Sequence, residues 1–234
     1  LGVCALLAGA ALLCGGYILW IRGSQIFFIV LAAGLLGLFY SAKPLCLSYR
    51  GLGEPVIGLM FGPLLMAGVS ISACGQLKAE VVVVGLAMGM LVTNILYTHS
   101  VLDFSADQSV GKKTMAALFS TPRGRLAGSA ALTFGPFVLL CIDIAMGTRS
   151  PAYLLTLMCL PLAAALYASM AEFCKDPQRP VMRQAWFGPM GKWEAICSQG
   201  LDWFLLRWFL SRNLVSLFAG TCILSSLLEE VLSL

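Results

Sequence analysis

AEVVVVGLAMGMLVTNILYTHSVLDFSADQSVGKKT, residues 79–114, runs from an apolar segment into two aspartates and a pair of lysines. Residues 79–98 are long and apolar enough to cross a bilayer as a helix, which takes about 20 such residues. A carboxylate at the end of such a segment is costly beside hydrocarbon unless it is paired, hydrated or metal-bound. Asp103 and Asp107 therefore need partners. The stretch sets the fold class and marks where to look for chemistry.

The rest of the chain agrees. Of its 234 residues 59% are hydrophobic and 11% charged, against about 25% charged in soluble domains, and the mean hydropathy is +0.90. Further apolar runs fall at roughly 1–21, 25–40, 54–73, 126–146, 151–171 and 209–228, giving about seven spans. The expected fold is an all-α polytopic transmembrane helix bundle, one domain over 1–234, with glycine and alanine letting backbones approach. The chain opens at Leu1 inside an apolar run, without initiator Met, basic segment or small-residue cleavage site. That reads as part of a longer membrane protein and not as a signal peptide.

If the spans alternate, one face collects Lys43, Arg50, Lys112, Lys113, Arg123, Arg125, Lys175, Arg179, Arg183, Lys192, Arg207 and Arg212, and the other only Arg22, Lys78 and Arg149. Twelve against three predicts that the loops 41–53, 99–125 and 172–208 are cytoplasmic. Tyr17 and Trp20 mark one boundary, and Trp186, Trp193, Trp203 and Trp208 the other. Residues 193–213 mix aromatics with Arg and Glu and read as an amphipathic helix at the interface, ahead of the last span. The nine cysteines are scattered without a CxxC pair or a nearby histidine, which weighs against zinc and haem sites, and His99 as the single histidine rules out multi-histidine metal sites. No nucleic acid partner is expected.

If the fourth helix continues for two turns, His99, Asp103 and Asp107 fall at i, i+4 and i+8, with Ser100 on the same stripe. Two bare carboxylates at that spacing repel, and a divalent cation relieves the repulsion. Oxygen ligands favour Mg²⁺, which binds through one or two carboxylates and fills its shell with water and substrate phosphate. Lys112 and Lys113 follow closely enough to neutralise phosphate charge. From DxxxD alone, an ordinary solvated loop is the simpler reading. A P-loop reading of GKKT fails, because Ala106 stands where a glycine is needed and Lys113 where Ser or Thr is needed.

A second loop on the same face reads FYSAKPLCLSYRGLGEPVIG, residues 39–58, with Tyr40, Lys43, Tyr49, Arg50 and Glu54 around a tight RGLGEP turn. Taken alone, it reads equally as a plain connection in which Gly51 and Gly53 supply turn geometry.

As an ordered pair, RGLGE and DFSADQSVGKKT resemble the motifs of the UbiA superfamily of membrane prenyltransferases, most closely its 1,4-dihydroxy-2-naphthoate polyprenyltransferase branch in menaquinone biosynthesis. The resemblance implies a bundle of about nine helices in intact members, in a bacterial inner membrane, with Mg²⁺ as cofactor. The implied substrates are a polyprenyl diphosphate and an aromatic acceptor. DFSAD matches the second of two Asp-rich motifs, which makes Asp103 and Asp107 the metal ligands and catalytic residues. Tyr40 and Lys43, and with them Arg50, fall in the loop that faces the diphosphate. His99 and Ser100 stand where many relatives carry two asparagines, which bears on acceptor choice. The first Asp-rich motif and two helices before Leu1 are missing from the expected pattern, so this stretch alone is expected to be inactive.

The expected chemistry is electrophilic prenylation of the acceptor ring. Tyr40, Tyr97 and Phe104 are candidates to shield an allylic cation with aromatic faces. Asn94, a turn inside the span from Tyr97, is a candidate substrate contact or a helix-packing group. Two alternatives stand. One is the same chemistry on a hydroxybenzoate, a chlorin or haem, or a glycerophospholipid. The other is a transporter or lipid-binding protein without chemistry, although transporters place polar sites near the midplane.

Overall fold

The computed structural model describes residues 2–232. Two helices, α1 (Gly2–Arg22) and α2 (Ser24–Ser41), form the amino-terminal hairpin. A single span follows, made of α3 (Gly53–Leu59) and α4 (Leu65–Cys74) joined through a π-helical turn at Met60–Leu64. Next come α5 (Ala79–Leu102), the short α6 (Phe104–Ser109) and α7 (Pro122–Ala145). A 3₁₀ segment, Pro151–Cys159, leads into α8 (Leu160–Lys175). The short α9 (Trp193–Ser198) and the long α10 (Asp202–Leu232) complete the order.

Seven helical units among the described residues are long and apolar enough to cross a membrane. That is the expected all-α polytopic bundle. Helices suit these segments because hydrocarbon offers no partner to a backbone N–H or C=O, so each must be satisfied within its own segment.

The core forms around α5. Leu91, Tyr97 and Val101 of that helix cluster with Leu132 and Leu140 of α7, Leu162 and Leu166 of α8, and Leu210, Leu214 and Phe218 of α10. On the other flank, α1 buries none of its residues and α2 only Ile26.

The span of α3 and α4 meets α5 through glycine. Pro63 lacks an N–H and clashes with the preceding turn, and the helix kinks at Gly62, where φ is −104° and ψ −106°. A Cβ on Gly62 would lie 2.4 Å from the Cα of Gly89, and one on Gly89 would lie 2.6 Å from the carbonyl oxygen of Gly58. The two backbones are in direct contact, and no larger residue fits between them.

Two buried arginines sit inside this apolar body, each with internal partners. Near the end of α7, Asp143 pairs with the buried Arg149, whose guanidinium also donates to the Glu80 carbonyl and lies over the Tyr153 ring at 4.5 Å. In α10, Arg207 is 1% exposed. Its Nε donates to the Ser169 carbonyl at 3.0 Å, another nitrogen donates to the Trp203 carbonyl, and the group lies 5.0 Å from the Phe173 ring centre.

Arg207 overturns the expectation for residues 193–213. That stretch is not one interfacial helix. Gly200, at φ +66, separates α9 from α10, and Asp202–Asn213 belongs to the last spanning helix. The polar residues gave it an amphipathic pattern, but the bundle satisfies Arg207 internally against α8. Arg207→Ala should therefore leave a cavity and remove both carbonyl contacts. Its expected cost is about 3 kcal/mol, read as a lowered unfolding midpoint in detergent.

Candidate functional site

At one end of the bundle, α5 stops at Leu102 and the chain turns at Asp103 before α6 begins. The single straight helix expected through Asp107 is broken, yet the register survives. Asp103 N donates to the His99 carbonyl at 2.9 Å, and Asp107 N to the Asp103 carbonyl at 2.8 Å. His99, Asp103 and Asp107 accordingly line one cavity, together with Tyr40, Ser48, Glu54, Ser100, Lys112 and Thr114. Its volume is about 190 Å³.

Gly111, at φ +71, reverses the chain after α6. The reversal brings Lys112 N to the Asp107 carbonyl at 3.0 Å and Lys112 Nζ to Asp107 Oδ1 at 3.1 Å. The Lys112 contact fixes the orientation of the Asp107 carboxylate beside the cavity.

The two motif loops are stitched to each other. Arg50 and Lys113 form a parallel backbone bridge, and Gly51 N donates to the Lys113 carbonyl at 2.8 Å. Gly51 adopts φ +76, and a Cβ there would press against Leu118 and the Thr114 carbonyl. Next to this seam, Glu54 opens α3 and is 5% exposed. Its Oε1 accepts from the Met115 N–H at 3.0 Å and from the Ser100 hydroxyl. One carboxylate thus ties α3, α5 and the segment after GKKT together.

Of the residues expected from sequence, Tyr40, His99, Ser100, Asp103, Asp107 and Lys112 converge on the cavity. Tyr40 does so from the last turn of α2. The His99 ring also packs against Phe204 at 4.6 Å.

Lys43, Arg50 and Lys113 do not line it. All three are exposed, and Arg50 donates to the Pro44 carbonyl at 3.0 Å. Lys113 joins the seam by its backbone. Asn94 and Tyr97 lie on the face of α5 that packs on α7: Asn94 Nδ2 donates to Thr133 Oγ1 at 2.9 Å, and the Tyr97 hydroxyl donates to the Arg125 carbonyl at 2.8 Å. The contacts of Asn94 are those of a helix-packing group. Phe104 points away from the cavity and carries the Arg125 guanidinium 4.0 Å above its ring. On that side lies a second cavity of about 700 Å³, walled by Phe104, Arg125, Phe173 and Trp203 among others.

Glu54, Thr114 and Ser48 line the cavity without having been expected there. Glu54 closes the RGLGE motif and Thr114 the GKKT turn, which is the local signal they carry. Their meeting depends on contacts between positions far apart in the chain.

The donor set fits Mg²⁺. Two hard carboxylates, Asp103 and Asp107, open onto one cavity, and that cation binds through one or two carboxylates with water and phosphate completing its shell. Among the described residues no group of three or more His, Cys, Asp or Glu side chains is placed to hold a metal. Any cation here would take its other ligands from water and substrate.

The fold and the cavity define a polytopic membrane protein with an acidic, lysine-flanked pocket at one end of its bundle. Residues 1–193 match the UbiA prenyltransferase family, and the chain belongs to that family. It is similar to UbiA prenyltransferase domain-containing protein 1 of Gallus gallus, 27% identical over 153 residues that cover 64% of this chain and 45% of that protein. The protein of the same name from Danio rerio is 27% identical over 179 residues, 75% of this chain and 52% of the relative. A 1,4-dihydroxy-2-naphthoate octaprenyltransferase of Haemophilus influenzae is 24% identical over 132 residues, 56% of this chain and 41% of the relative. The chain thus spans about half the length of the curated relatives it matches. No solved structure matches significantly.

Proposed function

We propose that the protein transfers a polyprenyl group from a prenyl diphosphate to an aromatic acceptor, with 1,4-dihydroxy-2-naphthoate as that acceptor and Mg²⁺ as cofactor. The observation that carries this reading is the seam between the two motif loops, which gathers Asp103, Asp107 and Lys112 in one cavity. Family membership supports the reaction class, and the printed name of the Haemophilus relative supports the acceptor.

Asp103 and Asp107 would hold Mg²⁺, which when bound supplies positive charge against the departing diphosphate. Lys112 adds a cation beside Asp107, which would balance the diphosphate charge that grows as its C–O bond lengthens. The Tyr40 ring borders the same space and can face an allylic cation. At about 190 Å³ the cavity suits a polar head and the edge of a ring. A polyprenyl tail would extend along the apolar helices into lipid. The excess of basic residues in the loops on the face that bears this cavity supports a site that opens to the cytoplasm.

The test supplies membranes carrying the full-length protein with radiolabelled polyprenyl diphosphate and 1,4-dihydroxy-2-naphthoate, first with Mg²⁺ and then with EDTA. Label in a prenylated naphthoquinone that disappears with EDTA is the expected result. Mg²⁺-dependent label in a different acceptor would keep the reaction and change the acceptor. No transfer to any acceptor by correctly inserted protein would leave a transporter or lipid-binding role. In the same assay Lys112→Ala should raise the KM for prenyl diphosphate about 10-fold and leave that for the acceptor unchanged. A change confined to the acceptor KM would remove Lys112 from the diphosphate site.

A further inference from the structure

The cavity of about 700 Å³ beyond the α5–α6 turn has no part in the proposed transfer. Its volume lies within the roughly 300–1,000 Å³ of small-molecule sites, and its make-up is theirs as well, apolar and aromatic walls with a few polar groups. Phe104, Phe173 and Trp203 supply flat faces to it, and the Phe173 and Trp203 rings are stacked with centres 5.8 Å apart and planes 7° from parallel. Trp203 in turn meets Phe204, which packs on His99 of the acidic cavity. The two cavities therefore share a wall but not a lining.

Arg125, in the first turn of α7, lines the larger cavity and is half-buried there. Among the described residues no carboxylate pairs with it. Its Nη1 donates to the Phe119 carbonyl at 3.2 Å, and its guanidinium lies 4.0 Å above the Phe104 ring. These contacts hold the group in place while engaging one nitrogen of a side chain that carries five N–H donors. A cation in the first turn of a helix is also disfavoured by the positive end of the helix dipole. A bound anion would relieve that cost. The neighbouring charges limit which anion: Arg179 already meets Glu172 at 3.6 Å, and Asp202 lines the same space. One unmatched cation near a carboxylate suits a singly charged group, whereas a diphosphate would be repelled by Asp202.

We infer that this cavity is a second binding site, built for a planar aromatic carboxylate. The carboxylate pairs with the Arg125 guanidinium, whose planar fork matches two oxygens, and the ring lies against the faces of Phe104, Phe173 and Trp203. An aliphatic acid offers the same charge without a flat face, and an ester offers the ring without the charge. Binding here requires neither Mg²⁺ nor prenyl diphosphate, because none of the residues Asp103, Asp107 and Lys112 lines this cavity. The inference goes beyond the proposed transfer and is read by binding alone, so the two stand or fall separately.

The experiment measures binding of radiolabelled 2-naphthoate to the full-length protein in phosphatidylcholine nanodiscs containing EDTA, and follows tryptophan fluorescence in parallel. Saturable binding is expected, with methyl 2-naphthoate and decanoate each competing about 10-fold or more weakly than unlabelled 2-naphthoate. Arg125→Met should weaken binding by a similar factor, and Arg125→Lys by less. Trp203→Phe should keep the binding and lose most of the fluorescence response, whereas Asp103→Asn should change neither. Equal competition by the ester or by decanoate would overturn the assignment. So would weakening by Asp103→Asn with none by Arg125→Met, which would put the ring in the acidic cavity, and so would displacement by phosphatidylglycerol, which would make this a site for anionic lipid. Should Arg125→Met fail to insert, the ester comparison on the wild type decides. Absence of saturable binding overturns the inference and leaves the prenyl-transfer assay to judge the proposed function.

Discussion

Asp103→Asn in the full-length protein is expected to lower Mg²⁺-dependent prenyl transfer about 1,000-fold, with membrane insertion intact. The substitution keeps the size of the side chain and its place at the α5–α6 turn, where the backbone bond from Asp103 N to His99 is indifferent to the side chain. What it removes is one of the carboxylates that line the cavity. A hard divalent cation bound through so few protein oxygens has little to replace it. Asp107→Asn should be as severe and should also release Lys112, whose 3.1 Å contact depends on the Asp107 carboxylate. Because both residues serve one cation, the double variant should be scarcely worse than either single one. Label transfer with wild-type rates in both single variants, assayed across a Mg²⁺ titration, would remove these aspartates from the metal site.

Gly62→Val is expected to prevent correct folding. The added Cβ would lie 2.4 Å from Gly89 Cα, 2.5 Å from the Gly85 carbonyl oxygen and 2.6 Å from Gly89 N. All three are backbone atoms of α5, so no side chain can move aside to make room. The span of α3 and α4 would have to separate from α5, breaking the packing that aligns Glu54 with Ser100. The destabilisation should exceed about 3 kcal/mol, read as loss of the monodisperse peak in detergent chromatography and a lowered unfolding midpoint. Gly16→Val is the control. A Cβ on Gly16 meets nothing within 4 Å, and the exposed face of α1 should accept it without measurable loss. Equal behaviour of the two variants would mean that the close approach at Gly62 does not hold the bundle together.

These two expectations draw on different levels of information. The aspartates stand out in sequence because a carboxylate pair at the end of an apolar helix needs a cation or water. Gly62 does not stand out, since the chain carries 24 glycines and most of those in α1 and α2 touch nothing. Only the packed backbone of α5 distinguishes it. Asn94 and Tyr97 show the same limit. Their helix is apolar on every side, so hydropathy cannot tell which face meets α7 and which meets the cavity. Residues 193–213 show it in reverse. Their charges suggested a water-facing stripe, whereas Arg207 finds backbone carbonyls and an aromatic ring inside the bundle.

By itself the sequence determined the seven spans, the all-helical class and the conspicuous charges at the end of the fourth span, because lipid imposes length and hydropathy on each segment separately and makes isolated charge stand out. The tertiary structure alone decided that Arg50 and Lys113 join two distant loops, that Gly62 lies on Gly89, and that Glu54 and Thr114 share one buried space. Each of those pairings depends on how helices already formed turn toward one another. In an apolar solvent that choice rests on close backbone approach and polar satisfaction between segments, which no single segment encodes.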